Sequence, residues 1–181
     1  MKHLILPSLL IITLLGIFFS STLSPKSSVI ELNQQIHSDV FKNYKSKYLL
    51  VFFGYVGCSD VCTPRLQELT PIYKELKYSY HLDISTIFIN LIPLQDKELP
   101  HLFATAFHKD FHGIYLNNDK IREVQSEFHI SLSKSLLSDG SWDHTSSLFL
   151  LQREKDAYHL KRVYLSAPFS QKQIVNDILG I

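Results

Sequence analysis

Residues 48–62 read YLLVFFGYVGCSDVC, and this stretch decides the fold class. Its first half, Tyr48 to Phe53, is a continuous apolar run that ends at Gly54, which is typical of a strand buried on both faces of a sheet. Its second half carries the only two cysteines of the chain, Cys58 and Cys62. The stretch therefore predicts a central strand that leads a cysteine pair to the start of the next helix.

Apolar strands alternate with helices after this stretch. Apolar residues recur at helical spacing from Leu66 to Tyr80, and Pro71 within them predicts a kink, or a restart of the helix with Thr70 as its cap. The other predicted elements are strands at 84–91, 113–116, 147–151 and 159–164, helices at 98–107, 118–128 and 170–179, and a polar loop at 131–141. This order predicts one α/β domain with a thioredoxin-like mixed sheet flanked by helices.

Composition and charge limit the kinds of function that the protein can have. The chain has 181 residues, with 18 Lys+Arg against 17 Asp+Glu and a formal net charge of +1. Because no basic stripe or long run of like charge is present, nucleic-acid binding has no electrostatic support. A domain of roughly 150 residues buries about two-thirds of its unfolded surface, so it needs neither a metal ion nor a disulfide to fold. A metal site in this domain is therefore free to be open and functional.

The N-terminus has the layout of a targeting segment. Lys2 and His3 precede an uncharged apolar run from Leu4 to Phe19, as in a secretory signal or an uncleaved signal-anchor. We expect a signal-anchor or signal peptide at 1–23, a polar linker at 24–28 and the folded domain at 29–181. The domain would then lie outside the cytosol, in the bacterial periplasm or an equivalent compartment, and cleavage of the leader would give a secreted form. In that compartment a two-cysteine protein can cycle between dithiol and disulfide.

The position of the cysteine pair allows two kinds of chemistry. Amides at a helix N-terminus stabilise a thiolate, which is both the nucleophile and the metal-binding form. A spacing of four residues puts the two Cα atoms about 6 Å apart, so the pair can form a disulfide or hold a metal ion. Sulfur ligands favour Cu(I), and an added imidazole also admits Cu(II), whereas zinc would lack a fourth ligand. The candidate imidazole is His144, in the polar segment that enters the strand at 147–151.

Three segments resemble the Sco/SenC family of copper-binding cytochrome c oxidase assembly proteins. Residues 52–62 are similar to its strand, Gly-aromatic and Cys-x-Asp-Val-Cys pattern, residues 106–113 resemble its helix end, and residues 143–145 resemble its Asp-His-Ser/Thr segment. The resemblance covers roughly residues 48–163. It implies a mononuclear copper site for Cu(I) and Cu(II) with Cys58, Cys62 and His144 as ligands. Asp60 and Asp143 would support this site by orienting the loop and the imidazole.

The resemblance implies a metallochaperone, a delivery protein and not an enzyme. It would carry copper to the copper centre of cytochrome c oxidase subunit II or to another copper client, and it would be held at the membrane by its N-terminal segment. The alternative is a membrane-tethered thiol–disulfide oxidoreductase that reduces partner cysteines with Cys58 and Cys62 and needs neither His144 nor copper. Three residues between the cysteines, where thioredoxin-type enzymes have two, favour the metallochaperone.

The chain departs from the family pattern close to the cysteines. Thr63 stands where proline usually follows the second cysteine, and residues 56–57 are Val-Gly where Thr-His often precedes the first. Ile92 stands where the family has an acidic residue, in a loop that the resemblance places near the copper face. The three ligands that the resemblance implies are all present.

Overall fold

The computed structural model describes residues 29–134, 142–144, 146–165 and 168–181, and of residues 134 and 142–144 only the backbone. The predicted signal-anchor and linker at 1–28 lie outside these residues. Within the described ranges, none of the helices has the length and apolar character needed to cross a membrane.

A mixed six-stranded sheet forms the centre of the domain. The strands of the described chain are β1 Val29–Gln35, β2 Tyr48–Gly54, β3 Ile84–Asn90, β4 Phe111–Ile114, β5 Leu132–Lys134, β6 Trp142–His144, β7 Leu148–Glu154 and β8 Ala157–Tyr164. The sheet has the order β1-β8-β7-β2-β3-β4, and β5 and β6 pair separately. Strands β2, β3 and β4 are parallel to one another, and the other pairs are antiparallel. The predicted mixed sheet is confirmed.

Helices cover both faces of the sheet because its central strands are apolar on both sides. Every residue of β2 is buried. Leu50 and Phe52 pack with α1 (Cys62–Lys74), α2 (Leu99–Thr105) and α4 (Gln171–Leu179) in one core cluster. Val51 and Phe53 pack with α3 (Asn118–Glu127) in the other. The continuous apolar run from Tyr48 to Phe53 is therefore the layer shared by two cores.

The first helix passes through its proline without restarting. Helix α1 contains Pro71 and runs on into a π-helical turn, Glu75–Ser79. The hydroxyl of Thr70 donates to the carbonyl of Leu66 at 3.1 Å, so Thr70 is not a cap and the predicted restart is wrong. Leu69 and Ile72, on either side of this point, are fully buried in the core. Their burial holds the helix against the sheet although one backbone donor is missing.

Two pairings lie where the sequence predicted no strand. Strand β1 is an edge strand with mostly exposed residues, and it pairs with β8. Strand β5 lies within the segment predicted as a polar loop at 131–141, and it pairs with β6. Strand β4 begins at Phe111, two residues before the predicted start. These edge and ribbon strands depend on backbone pairing with a neighbour and carry little apolar pattern of their own.

Candidate metal centre

A tight loop carries Cys58 from the end of β2 to the start of α1. Gly57 has a φ of +91°, a left-handed conformation that glycine adopts without strain. The backbone N–H of Cys58 donates to the carbonyl of Tyr55 at 3.3 Å. Cys62 is the first residue of α1. The loop therefore places one cysteine just before the helix and the other at its first position, as predicted.

The sulfur of Cys58 takes the position of a helix-capping oxygen. The backbone N–H of Cys62 donates to Cys58 Sγ at 3.3 Å. Val61 at the N-cap position makes no side-chain capping hydrogen bond, so the sulfur serves an amide that has no partner within the helix. The N-terminal end of the helix dipole favours negative charge at this position. A thiolate on Cys58 would be stabilised by both effects.

The two cysteines differ in exposure and in proton affinity. Cys58 is 5% exposed and Cys62 is 0% exposed, and both are thiols in this structure. The hydrogen bond with the Cys58 sulfur and burial raise the pKa of the Cys62 thiol, and a backbone hydrogen bond from Tyr55 partly opposes them. Cys62 therefore keeps its proton until a metal ion or a new sulfur bond replaces it.

Thr63 fastens the cysteine loop with two hydrogen bonds. Its backbone N–H donates to the carbonyl of Cys58 at 3.3 Å, and its hydroxyl donates to the same carbonyl at 3.1 Å. Proline, which the resembling family usually has at this position, has no N–H and no hydroxyl to donate. Threonine at this position therefore adds contacts to the loop that proline would not make.

Asn90 braces the same loop from the neighbouring strand, a role that the sequence alone does not indicate. It is the last residue of β3 and is fully buried. Its Oδ1 accepts from the backbone N–H of Val56 at 3.0 Å, and its Nδ2 donates to the carbonyl of Ile92. The N–H of Leu91 also donates to the carbonyl of Gly54 at 2.8 Å. Asn90 thus joins the segment before Cys58 to the segment that contains Ile92.

The chain enters the main sheet beside the end of β2 four residues after His144. His144 ends β6, opposite Leu132 of β5. Four residues later Leu148 begins β7, and it pairs with Phe52 near the end of β2 that leads to the cysteines. The side chains of His144 and Asp143 lie outside the described part of the structure.

Asp60 lies on the surface of the loop. It is exposed, and it accepts a hydrogen bond from the hydroxyl of Ser59 at 2.7 Å. Among the side chains that the structure describes, no group of three or more His, Cys, Asp or Glu residues is placed to hold a metal ion. The described part of the candidate centre consists of the two cysteine sulfurs.

These features define a class of protein: a thioredoxin-like domain with a cysteine pair at the N-terminus of its first helix. The chain belongs to the SCO1/SenC family, whose family model matches residues 32–178.

Known proteins resemble the chain in sequence and in fold. The SCO2-like protein of Rickettsia felis is 28% identical over 158 residues, which is 84% of this chain and 73% of that protein. The structure of Arabidopsis thaliana ScoI with copper bound has a TM-score of 0.67 at 19% identity, over 83% of this chain and 96% of the other. BsSco, a member of the Sco family of cytochrome c oxidase assembly proteins with an identified disulfide switch, has a TM-score of 0.58 at 18% identity, over 82% and 94% of the two chains.

Proposed function

We propose that this protein binds one copper ion through Cys58, Cys62 and His144 and delivers it to the copper centre of cytochrome c oxidase subunit II or to another copper client. The observation that carries the proposal is the contact between the Cys58 sulfur and Cys62 at the start of α1. The family of this chain supports copper as the metal, because ScoI of Arabidopsis thaliana has been solved with copper bound.

The donor set fits copper as a cargo. Two thiolates favour Cu(I), and binding them displaces the proton that Cys62 holds in the copper-free protein. Cys58, the more exposed of the two residues, would be the first to meet the incoming ion. Release then follows by stepwise exchange, in which a partner ligand replaces one sulfur before the other leaves.

His144 is the proposed third ligand. The support is the strand register, because β7 enters the sheet beside Phe52 at the end of β2 that leads to Cys58. Its imidazole would extend the site from Cu(I) to Cu(II). We assign Asp143 and Asp60 supporting roles, in which they orient the imidazole and the cysteine loop. Residues 1–23 are proposed to hold the domain at a membrane, outside the cytosol.

Copper titration of ligand variants tests this function. We expect Cys58→Ser and Cys62→Ser each to abolish tight Cu(I) binding, measured anaerobically against a chelator of known affinity. His144→Ala should weaken Cu(II) binding and alter the sulfur-to-copper charge-transfer absorption. The control is His37→Ala, since the His37 side chain is 79% exposed and its charged neighbour is Glu127 of α3, not a residue of the cysteine loop. Equal Cu(II) affinity in His144→Ala and the parent would remove His144 from the ligand set.

A thiol–disulfide oxidoreductase is the second candidate. It is favoured by the contact between the two cysteines, which also suits formation of a disulfide, and by the disulfide switch of BsSco. Oxidase activity in cells that lack the protein separates the candidates. Added copper should restore activity if delivery is the function, whereas an added thiol reductant without copper should restore it if reduction is the function.

A further inference from the structure

Two histidines outside the cysteine site stand opposite each other at the edge of the sheet. His101 lies in α2 and His112 lies in the edge strand β4. Their imidazole ring centres are 6.4 Å apart, and the rings are inclined by 36°. Both residues are exposed to solvent. Neither takes part in the proposed delivery site.

The backbone fixes the separation of these two residues. Gly113 packs so closely on α2 that an added Cβ would lie 1.8 Å from the carbonyl oxygen of Pro100 and 2.5 Å from the backbone nitrogen of His101. The helix and the strand therefore cannot drift apart or slide without losing this contact. On the other side, the ring of Tyr44 meets the His112 ring edge-on, with centres 5.7 Å apart. The backbones of the two histidines are therefore held side by side, and Tyr44 packs against the ring of His112.

Their spacing suits one metal ion between them. An imidazole nitrogen binds a metal ion at about 2.0–2.1 Å, which puts the metal roughly 3 Å from the ring centre. Two rings on opposite sides of one ion are then about 6 Å apart, close to the observed 6.4 Å. Opposite positions belong to square-planar coordination, which Cu(II) prefers with nitrogen and oxygen ligands. Water would complete the coordination.

We infer that His101 and His112 form a second copper site, a two-imidazole Cu(II) site at the β4 edge. In the strand register, His112 of β4 pairs with Ile87 of β3, and Ile87 pairs with Val51 of β2. Val51 lies three residues before Gly54, which ends β2. With strands about 4.8 Å apart and a rise of about 3.3 Å per residue, His112 lies roughly 14 Å from the end of β2. The two sites are thus too far apart to share an ion. The second site does not depend on the proposed delivery function.

Titration of Cu(II) into the full chain with Cys58→Ser and Cys62→Ser tests the inference without sulfur ligands. Nitrogen hyperfine structure in the electron paramagnetic resonance spectrum should report a bound ion. His101→Gln and His112→Gln should each weaken this binding about tenfold or more, because losing even an outer partner of a ligand costs 10–100-fold. The control is His37→Gln, and thermal melts establish that each variant is folded.

A parallel measurement covers the case in which the double-serine protein does not fold. The parent chain, with its cysteines intact, should then bind one more Cu(II) ion than the His101→Gln/His112→Gln double variant. An unchanged number and affinity of Cu(II) ions in that double variant would overturn the second site. Loss of every bound Cu(II) ion in a double-serine protein that is still folded would also overturn this site, because it requires no sulfur ligand.

Discussion

Gly54 and Cys62 are in such close contact that a side chain on the glycine would collide with the cysteine sulfur. A Cβ built on Gly54 would lie 2.5 Å from Cys62 Sγ and 3.1 Å from the ring of Phe88. Gly54 ends β2, so the last residue of the central strand fixes how close the second cysteine can sit to the sheet. Here glycine is required for space and not for an unusual backbone angle.

Gly54→Ala should therefore disturb the cysteine pair directly. The methyl group forces Cys62 or Phe88 to move, and overpacking of this kind costs about 1–3 kcal/mol of unfolding free energy. We expect a lower melting temperature and a weaker affinity for Cu(I). Gly180→Ala is the matched control, because the nearest atom to its Cβ would be an ordinary 3.4 Å away. If both variants bind Cu(I) like the parent, Gly54 does not position the sulfur.

Asn90→Ala should loosen the cysteine loop from the neighbouring strand. The substitution leaves the N–H of Val56 and the carbonyl of Ile92 without their partner, and because both are partly buried each unpaired group costs at most about 1–3 kcal/mol. Besides lower stability, we expect a shift in the reduction potential of the Cys58–Cys62 pair, measured against a glutathione redox buffer. A merely structural role would lower stability and leave the potential unchanged.

Thr86→Val provides the comparison for Asn90→Ala. Thr86 is on the same strand and is fully buried, but its hydroxyl has no hydrogen-bond partner among the described residues. Valine has nearly the same shape, so this variant should keep both the stability and the reduction potential. An equal shift of potential in Thr86→Val would mean that any change in β3 affects the cysteines.

The features of this site that could be predicted from the sequence are those formed by residues close together in the sequence. A continuous apolar run identified β2, and the cysteines follow it within a few residues, so their place at a helix start was evident. Asn90 could not be found in this way. In the sequence it is one polar residue at the end of a predicted strand, and its role exists only because parallel pairing brings Gly54 beside it. Strand β1 was missed for a similar reason, since its pairing with β8 and not its composition makes it a strand.

Alkylation should distinguish the two thiols. Cys58 is 5% exposed and Cys62 is 0% exposed, and the pKa of Cys62 is raised by its hydrogen bond with Cys58 and by burial. Each pKa unit lowers the thiolate fraction about tenfold, so iodoacetamide at pH 8 should modify Cys58 at least about tenfold faster. Mass spectrometry of peptides after short reaction times measures the ratio. Equal rates would contradict the difference between the two cysteines.

The stability of the reduced protein should decline in alkali because of Cys62. Its pKa is raised on folding, so its stabilising contribution is complete below the pKa of an unfolded cysteine, about 8.5, and is lost as the pH rises toward the folded value. The decline is at most about 1.4 kcal/mol per pH unit above about 8.5. Urea unfolding at several pH values under reducing conditions should show a steeper loss in the parent than in Cys62→Ala. Parallel curves would show that the pKa of Cys62 is not raised.

Thr63→Pro should make the loop looser while keeping the helix. Proline is tolerated in the first turn of a helix, but it removes both hydrogen bonds to the Cys58 carbonyl. We expect faster amide hydrogen exchange in the loop and faster loss of Cu(I) to a chelator. Thr63→Val, which keeps the N–H and loses only the hydroxyl, should fall between the parent and the proline variant. If hydrogen exchange in the loop and the rate of Cu(I) loss rank the three proteins in the same order, loop motion is connected with copper release.

The unequal exposure of the two cysteines would give metal transfer a direction under the proposed function. Cys58 is 5% exposed and Cys62 is 0% exposed, and the Cys62 sulfur lies against Gly54 at the end of the central strand, so a competing thiol would reach Cys58 first. A handover would then begin with displacement of the Cys58 sulfur while the Cys62 sulfur still holds the ion. Small chelators and water would meet the same one-sided barrier, which would slow the loss of the ion to anything except a client whose surface fits this face.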